Sequence, residues 1–165
     1  MHDEPTPSRP DGPAAPAPRR ATRRVAVGIG ARDCGDDALG PAVCDRIRQL
    51  DSTVDVWIVE ADATTVAMLW RPDDRVVVID AVTTGAAPGT LTQFDPALLA
   101  ASAAAQGIRI ADALRLSDVR GTRPRELWVL GVEAAAVVPG TRLSPAVAGT
   151  VDDTAARVLE LLGPR

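Results

Sequence analysis

The chain has 165 residues, enough for one domain with its own hydrophobic core. All 18 basic residues are arginines, so a Schiff-base lysine and the lysine of a phosphate-binding loop are excluded. The only histidine is His2, which disfavours histidine-based catalytic triads and histidine zinc sites. The net charge of −4 disfavours a nucleic-acid partner, and no apolar run reaches the roughly 18 residues of a transmembrane helix, so no membrane partner is expected.

Residues 1–23 differ in composition from the rest of the chain. They contain six prolines and no Val, Ile, Leu, Phe or Trp, so they bury too little apolar surface to offset the entropy of ordering. We predict a disordered tail over 1–23 and one folded domain over 24–165. The tail has no apolar stretch typical of a secretion signal, and two cysteines, Cys34 and Cys44, make no disulfide framework. A reducing, cytoplasmic location is therefore expected.

Strands and helices alternate along the first half of the folded part. Residues 24–30 form a continuous apolar run, typical of a strand that is buried on both faces. Apolar residues then recur at helical spacing from Leu39 to Leu50. The predicted elements are a strand over 24–30, a helix over 37–50, a strand over 53–60, a helix over 64–71 behind a threonine cap, and a strand over 75–81.

The second half continues the alternation. Its predicted elements are a weaker strand over 88–95, a helix over 108–119, a strand over 126–133 and a closing helix over 144–162 that Ser144 would cap. Such alternation is typical of an α/β fold. We predict a three-layer sandwich with a mostly parallel, roughly five-stranded sheet. Trp57, Trp70 and Trp128 lie at core spacing and are interpreted as packing residues.

Acidic residues follow two of the predicted strands. Asp36 and Asp37 lie in the loop after the first strand, and Asp80 ends the most apolar one. Because ligands of open α/β sheets bind at the carboxyl ends of the strands, these carboxylates would share a crevice if the strands are neighbours. They would then bind a cation or act as an acid/base pair. In the alternative interpretation, Asp36 caps a helix and Asp80 merely ends a strand.

The glycines of the first loop allow a different hypothesis. Gly28, Gly30 and Gly35 are similar in placement to a dinucleotide fingerprint, but Asp33 occupies the position of its third glycine. A carboxylate there would face the negative pyrophosphate. The acidic loop therefore favours a cation over a nucleotide.

Seven short motifs follow one another in a characteristic order. They are GIG at 28–30, GDDALG at 35–40, VIDAV at 78–82, APGT at 87–90, IADAL at 110–114, GVE at 131–133 and LSPAV at 143–147. In this order they resemble the maturation endopeptidases of nickel-iron hydrogenases. The resemblance covers residues 24–162, and seven motifs in order make chance similarity improbable.

The resemblance implies a specific activity. Members of this family cut a short C-terminal extension from the hydrogenase large-subunit precursor after nickel insertion, so that precursor is the expected partner. The nickel belongs to the substrate and signals that loading is complete. The family's acidic metal ligands correspond to Asp37 and Asp80, which are also the expected catalytic residues, and its histidine ligand corresponds to Gln106. Since no nucleophile is evident, water activated by a carboxylate or the metal is the expected attacking group.

Two positions depart from the family pattern. Ala31 replaces an asparagine, and Gln106 replaces the histidine, although an amide is a poorer nickel ligand than imidazole. Three explanations stay open. Gln106 is a weak ligand supported by thiolates of the substrate, Cys34 compensates for it, or the chain has lost activity and only binds a hydrogenase-like partner. A nucleotide-binding domain is the third-ranked alternative.

Two further charged residues are candidates for the same crevice. Glu133 ends a strand at the edge expected to carry Asp80. Arg109 would lie near the cation and pair with Asp80 or with a carboxylate of the substrate.

Overall fold

A five-stranded sheet forms the centre of the protein. The computed structural model describes residues 21–60, 62–101 and 110–164. The strands are β1 (Arg24–Ile29), β2 (Asp55–Val59), β3 (Arg75–Val82), β4 (Leu91–Phe94) and β5 (Glu126–Glu133). Their order is β2-β1-β3-β5-β4, and every neighbouring pair is parallel except β4 with β5. The predicted mostly parallel sheet is confirmed.

Helices cover both faces of the sheet. They are α1 (Leu39–Leu50), α2 (Ala63–Leu69), α3 (Pro96–Ala101), α4 (Ile110–Arg120), α5 (Pro145–Ala148) and α6 (Val151–Leu162), and a 3-10 turn (Gly35–Ala38) precedes α1. On one face α1 packs against α6, and on the other α4 packs against α2 and α3. The predicted three-layer α/β sandwich is thereby confirmed.

The central strand β3 supplies side chains to two hydrophobic cores. Val77 and Ile79 pack on the side of α1 and α6, whereas Val76 and Val78 pack on the side of α2 and α4. Because side chains alternate between the faces of a strand, Asp80 falls on the α2/α4 side. Burial on both faces explains the continuous apolar runs of β1 and β3.

The predicted closing helix over 144–162 is wrong, because two helices occupy the segment. Gly149 and Thr150 separate α5 from α6, and the Thr150 hydroxyl donates to the carbonyl of Val147 at 2.8 Å. Glycine has a low helix propensity, and a threonine hydroxyl competes for helical carbonyls. The periodicity hid this break, since buried Val147 and Ala155 keep helical spacing across it.

Asp62, not a threonine, caps α2. Its carboxylate accepts hydrogen bonds from the amides of Thr64 and Thr65 at 3.2 and 3.0 Å, so the helix begins at Ala63 and ends at Leu69. Aspartate is a good N-cap because its carboxylate accepts hydrogen bonds from the unpaired amides of the first helical turn. The short α3 was not predicted, since six residues are too few to show a period.

Trp57 is the one tryptophan whose predicted burial is wrong. It lies on the edge strand β2 and is 44% exposed, whereas Trp70 is 3% exposed and Trp128 packs partly buried against the α1/α6 core. An edge strand has a neighbour on one side only, so its side chains are covered less fully.

The structure describes the predicted tail only from residue 21 onward, and residues 1–20 lie outside the described residues. The Arg23 side chain donates to buried Asp74 at 3.1 Å and to the carbonyl of Leu69 at 3.1 Å. The sequence assigns Arg23 to the tail, but its side chain packs against the turn before β3. Within the described ranges, no helix is long and apolar enough to cross a membrane.

Candidate active site

The carboxyl ends of β1 and β3 lie side by side. The two strands are parallel neighbours, with Gly28 opposite Ile79, and the 3-10 turn after β1 contacts β3. The structure therefore brings the Asp36–Asp37 turn and Asp80 to one edge of the sheet. This edge is where ligands of open α/β sheets bind.

Glycines allow the turn to sit directly on the end of β1. A Cβ atom on Gly28 would lie 2.4 Å from the carbonyl oxygen of Gly40, so α1 starts in backbone contact with the strand. Gly30 has a φ of +135°, and a Cβ atom there would lie 1.8 Å from the carbonyl oxygen of Asp37. Only glycine satisfies both the angle and the space. Gly28 therefore lets the start of α1 pack against β1, and Gly30 lets the backbone of Asp37 lie close to the end of β1.

Asp37 is held by the backbone that follows β1. Its Oδ2 accepts a hydrogen bond from the Ala31 amide at 2.7 Å, and the residue is half-buried. The contact uses only the main chain of Ala31. The departure from asparagine at this position therefore leaves the anchoring of Asp37 intact.

Asp80 is fully buried on the central strand β3, two residues before that strand ends. It lies opposite Gly131 of β5, and its relative exposure is 0%. Its side of the sheet is the one covered by α4, since Ile110 shares a core with Val78. Gln106 and Arg109 lie outside the described residues, in the segment that leads into α4.

Asp36 does not cap a helix, so that interpretation is wrong. Its buried carboxylate accepts from the amides of Ala135, Ala136 and Ser144 at 2.8, 3.0 and 2.7 Å, and from the Ser144 hydroxyl at 3.0 Å. Burial opposes ionisation, but these hydrogen bonds outweigh it and hold the pKa of Asp36 below its usual value. Asp36 is an anchor for the loop over 134–144.

Ser144 is the N-cap residue of α5, so its predicted position at the start of a helix is confirmed. Its hydroxyl makes no capping hydrogen bond, because it donates to Asp36. Asp36 lies in the GDDALG motif and Ser144 in the LSPAV motif. The presence of both motifs was the one sequence signal for this contact, since local residue spacing carries no information about two residues 108 positions apart.

Glu133 is a second buried carboxylate at this edge. It accepts from the Thr84 hydroxyl at 2.7 Å, from the Thr84 amide at 2.9 Å and from the Gly85 amide at 2.9 Å. The Thr84 contacts hold the pKa of Glu133 below its usual value. These hydrogen bonds fix the loop after β3, and a role for Glu133 in the site stays a prediction.

The two cysteines have different surroundings. Cys34 is half-buried and precedes the 3-10 turn, where its backbone forms a bridge to Thr141. Cys44 is buried, and burial raises the pKa of its thiol to about 12. Cys44 is consequently a structural residue, since the reactive form of cysteine is the thiolate.

Residues 58–161 match the sequence profile of a family described as hydrogenase maturation protease, HycI. This match spans more than half of the chain. The chain belongs to the hydrogenase maturation protease family. The matched segment contains Asp80 and Gln106 but starts after Asp37.

Solved structures of hydrogenase maturation proteases share the fold. HybD from E. coli superposes with a TM-score of 0.73 at 23% identity, covering 86% of this chain and 92% of its own. HybD from Thermococcus kodakarensis gives 0.71 at 21% identity and covers 86% and 100%. HycI from Thermococcus kodakarensis KOD1 gives 0.63 at 26% identity and covers 86% and 92%. No curated protein matches the chain significantly.

Within the described ranges of this hydrogenase maturation protease, no three or more His, Cys, Asp or Glu side chains lie close enough together to hold a metal ion. Asp37 and Asp80 are hard oxygen donors, and two carboxylates leave most positions around a nickel ion to other ligands.

Proposed function

We propose that this protease removes the C-terminal extension of a nickel-iron hydrogenase large-subunit precursor after nickel insertion. Family membership supports peptidase activity. The observation that carries the proposal is the position of the turn that contains Asp37, which follows β1 and contacts β3, the neighbouring strand that contains Asp80. Both cysteines are free thiols, which fits a reducing cytoplasmic location.

Nickel enters the proposal as part of the substrate. Thiolates of the precursor would hold most of its coordination shell, because soft sulfur ligands suit this ion better than two carboxylates do. Asp37 and Asp80 would complete the shell, together with the amide oxygen of Gln106. Only a loaded precursor would then be held in the position required for cleavage.

Water is the proposed nucleophile. Asp37 is half-buried and hence accessible to solvent, so it is the better base, whereas fully buried Asp80 would mainly orient the ion. The water oxygen adds to the scissile carbonyl carbon, its proton passes through the carboxylate, and the C–N bond breaks as the leaving amine takes up that proton. Nickel bound to the precursor would polarise the carbonyl.

The second candidate function is binding without cleavage. It is favoured by one observation, Gln106 in place of the family's histidine. A nucleotide is a poor candidate, because the loop amides that would cradle a phosphate are already used. The amides of Ala31, Gly35 and Asp36 donate to Asp37, Thr141 and Ala136 at 2.7, 3.0 and 2.9 Å.

Cleavage of a purified precursor, with and without nickel, tests the proposal. We expect the protease to shorten only the nickel-loaded form, as measured by intact-protein mass spectrometry. Asp37→Asn and Asp80→Asn should abolish cleavage, because an amide neither takes up the proton nor supplies the charge. Asp73→Asn, at an exposed position before β3, is the matched control and should cleave normally.

The outcomes separate the two candidates. Normal cleavage by both site variants would refute the site assignment. A wild-type protein that binds the loaded precursor in a pull-down but leaves its mass unchanged would support the binding function instead.

A further inference from the structure

An open cleft of about 410 Å³ lies next to the turn that carries Asp37. Its apolar walls come from the start of α1 and from the segment before α5, and include Ala38, Pro41, Ala42 and Leu143. The charged residues Arg32, Asp45 and Arg142 also line it. Ala38 directly follows Asp37 in the chain, so one wall of the cleft adjoins the turn that carries this proposed site residue.

Asp36 fixes the two walls of the cleft relative to each other. It precedes Asp37 and Ala38 on one wall, and it accepts hydrogen bonds from Ser144 beyond the other. Thr141, on the same segment, accepts from the Gly35 amide at 3.0 Å. The positions of Arg142 and Leu143 are therefore set by backbone contacts on both sides.

The charges at the cleft are not balanced. Arg32 pairs with Asp45 at 3.1 Å, and Asp45 also accepts from Arg48 at 2.9 Å. Arg142 is exposed and makes no ion pair with any residue in the described ranges. On a chain of net charge −4 this is a local cationic position beside small apolar side chains. It complements a peptide that presents a carboxylate.

We propose that the cleft holds the C-terminal extension of the precursor, with a carboxylate of the extension paired to Arg142. This inference rests on the proposed function. The part of the precursor that carries nickel would occupy the crevice at Asp37 and Asp80, and the chain beyond the scissile bond has to leave it. The cleft begins one residue from Asp37, so an extended segment, rising about 3.3 Å per residue, reaches it within a few residues.

Charge variants of Arg142 test the proposal in a steady-state cleavage assay on nickel-loaded precursor. We expect Arg142→Gln to raise KM about threefold and Arg142→Glu to raise it about tenfold, with kcat unchanged, because an exposed pair contributes binding rather than chemistry. Higher salt should reduce the difference between wild type and Arg142→Gln. Arg125→Glu, exposed before β5 at the opposite edge of the sheet, is the matched control and should leave KM unchanged.

A binding measurement separates this inference from the proposed function. The wild type should bind the loaded full-length precursor more tightly than the same precursor truncated at the cleavage site, and Arg142→Glu should remove that difference. An unchanged difference in Arg142→Glu would overturn the cleft, even if Asp37→Asn has lost cleavage. The expected binding result without cleavage by the wild type would instead support the cleft and refute the peptidase activity.

Discussion

Adjacent aspartates perform different tasks in this protein. The Asp36 carboxylate is fully buried and binds four donors of one distant loop, whereas Asp37 is half-buried and binds the nearby Ala31 amide. The two residues have the same side chain and neighbouring positions. Their roles differ because the 3-10 turn points one into the protein and leaves the other at the edge of the sheet.

The stability of two asparagine variants should reveal this difference. Asp36→Asn is expected to lower the free energy of unfolding by about 2–3 kcal/mol, because an amide presents donors to amides that need an acceptor. Asp37→Asn should change it by less than about 1 kcal/mol, since the amide oxygen still accepts from Ala31. Urea denaturation of both variants measures the two values. Equal losses would contradict the assignment of Asp36 as the loop anchor.

At the scale of elements, local pattern predicted the strands well. β1, β3 and β5 are continuous apolar runs because helices cover both faces, and such runs can be recognised in a single sequence. The resemblance of seven motifs pointed to Asp37 and Asp80. The roles of Asp36 and Glu133 were not predictable in this way, because the partners of Asp36 lie 99 to 108 residues away and those of Glu133 48 or 49.

Two glycines near α5 should respond in opposite ways to alanine. Gly149 has a φ of −65°, and a Cβ atom there would only contact the Pro145 carbonyl oxygen at 3.4 Å. Gly89 has a φ of +86°, and its Cβ atom would lie 2.8 Å from the Ala146 carbonyl oxygen. Gly149→Ala should stabilise the protein by about 0.5 kcal/mol, whereas Gly89→Ala should destabilise it by more than about 1 kcal/mol.

Thermal unfolding of both variants checks this pair. The contrast depends on the backbone angle and the space at each site, because the same methyl group is added in both. A loss of stability in Gly149→Ala as large as that in Gly89→Ala would show that the break between α5 and α6 needs glycine.

At the scale of the whole molecule, two buried carboxylates hold loops at the edge of the sheet that carries Asp37 and Asp80. Asp36 binds the loop over 134–144, and Glu133 binds the loop after β3. Loops connect the elements at this edge of the sheet. Their positions, and with them the surroundings of Asp37 and Asp80, depend on contacts between distant parts of the chain. The edge of the sheet that carries Asp37 and Asp80 is thus a product of the complete fold.

The isolated protein should bind nickel weakly. The described residues place no three-donor group together, so the ion would depend on ligands of the precursor. We expect purification without nickel and a low affinity in calorimetry, and Gln106→His should strengthen binding by supplying an imidazole. Asp73→Asn should leave the affinity unchanged. Stoichiometric nickel that survives gel filtration of the wild type would contradict this expectation.

The hydrogen bonds between Asp36 and the loop over 134–144 also determine when, during synthesis on the ribosome, this edge of the sheet can become ordered. During synthesis, Asp36 leaves the ribosome long before the amides of Ala135 and Ala136 and the hydroxyl of Ser144 exist. At about 5–20 residues per second, the intervening chain takes at least several seconds to emerge. A nascent chain thus carries Asp36 and Asp37 without the loop that Asp36 binds, and this part of the fold becomes ordered only when synthesis is almost complete.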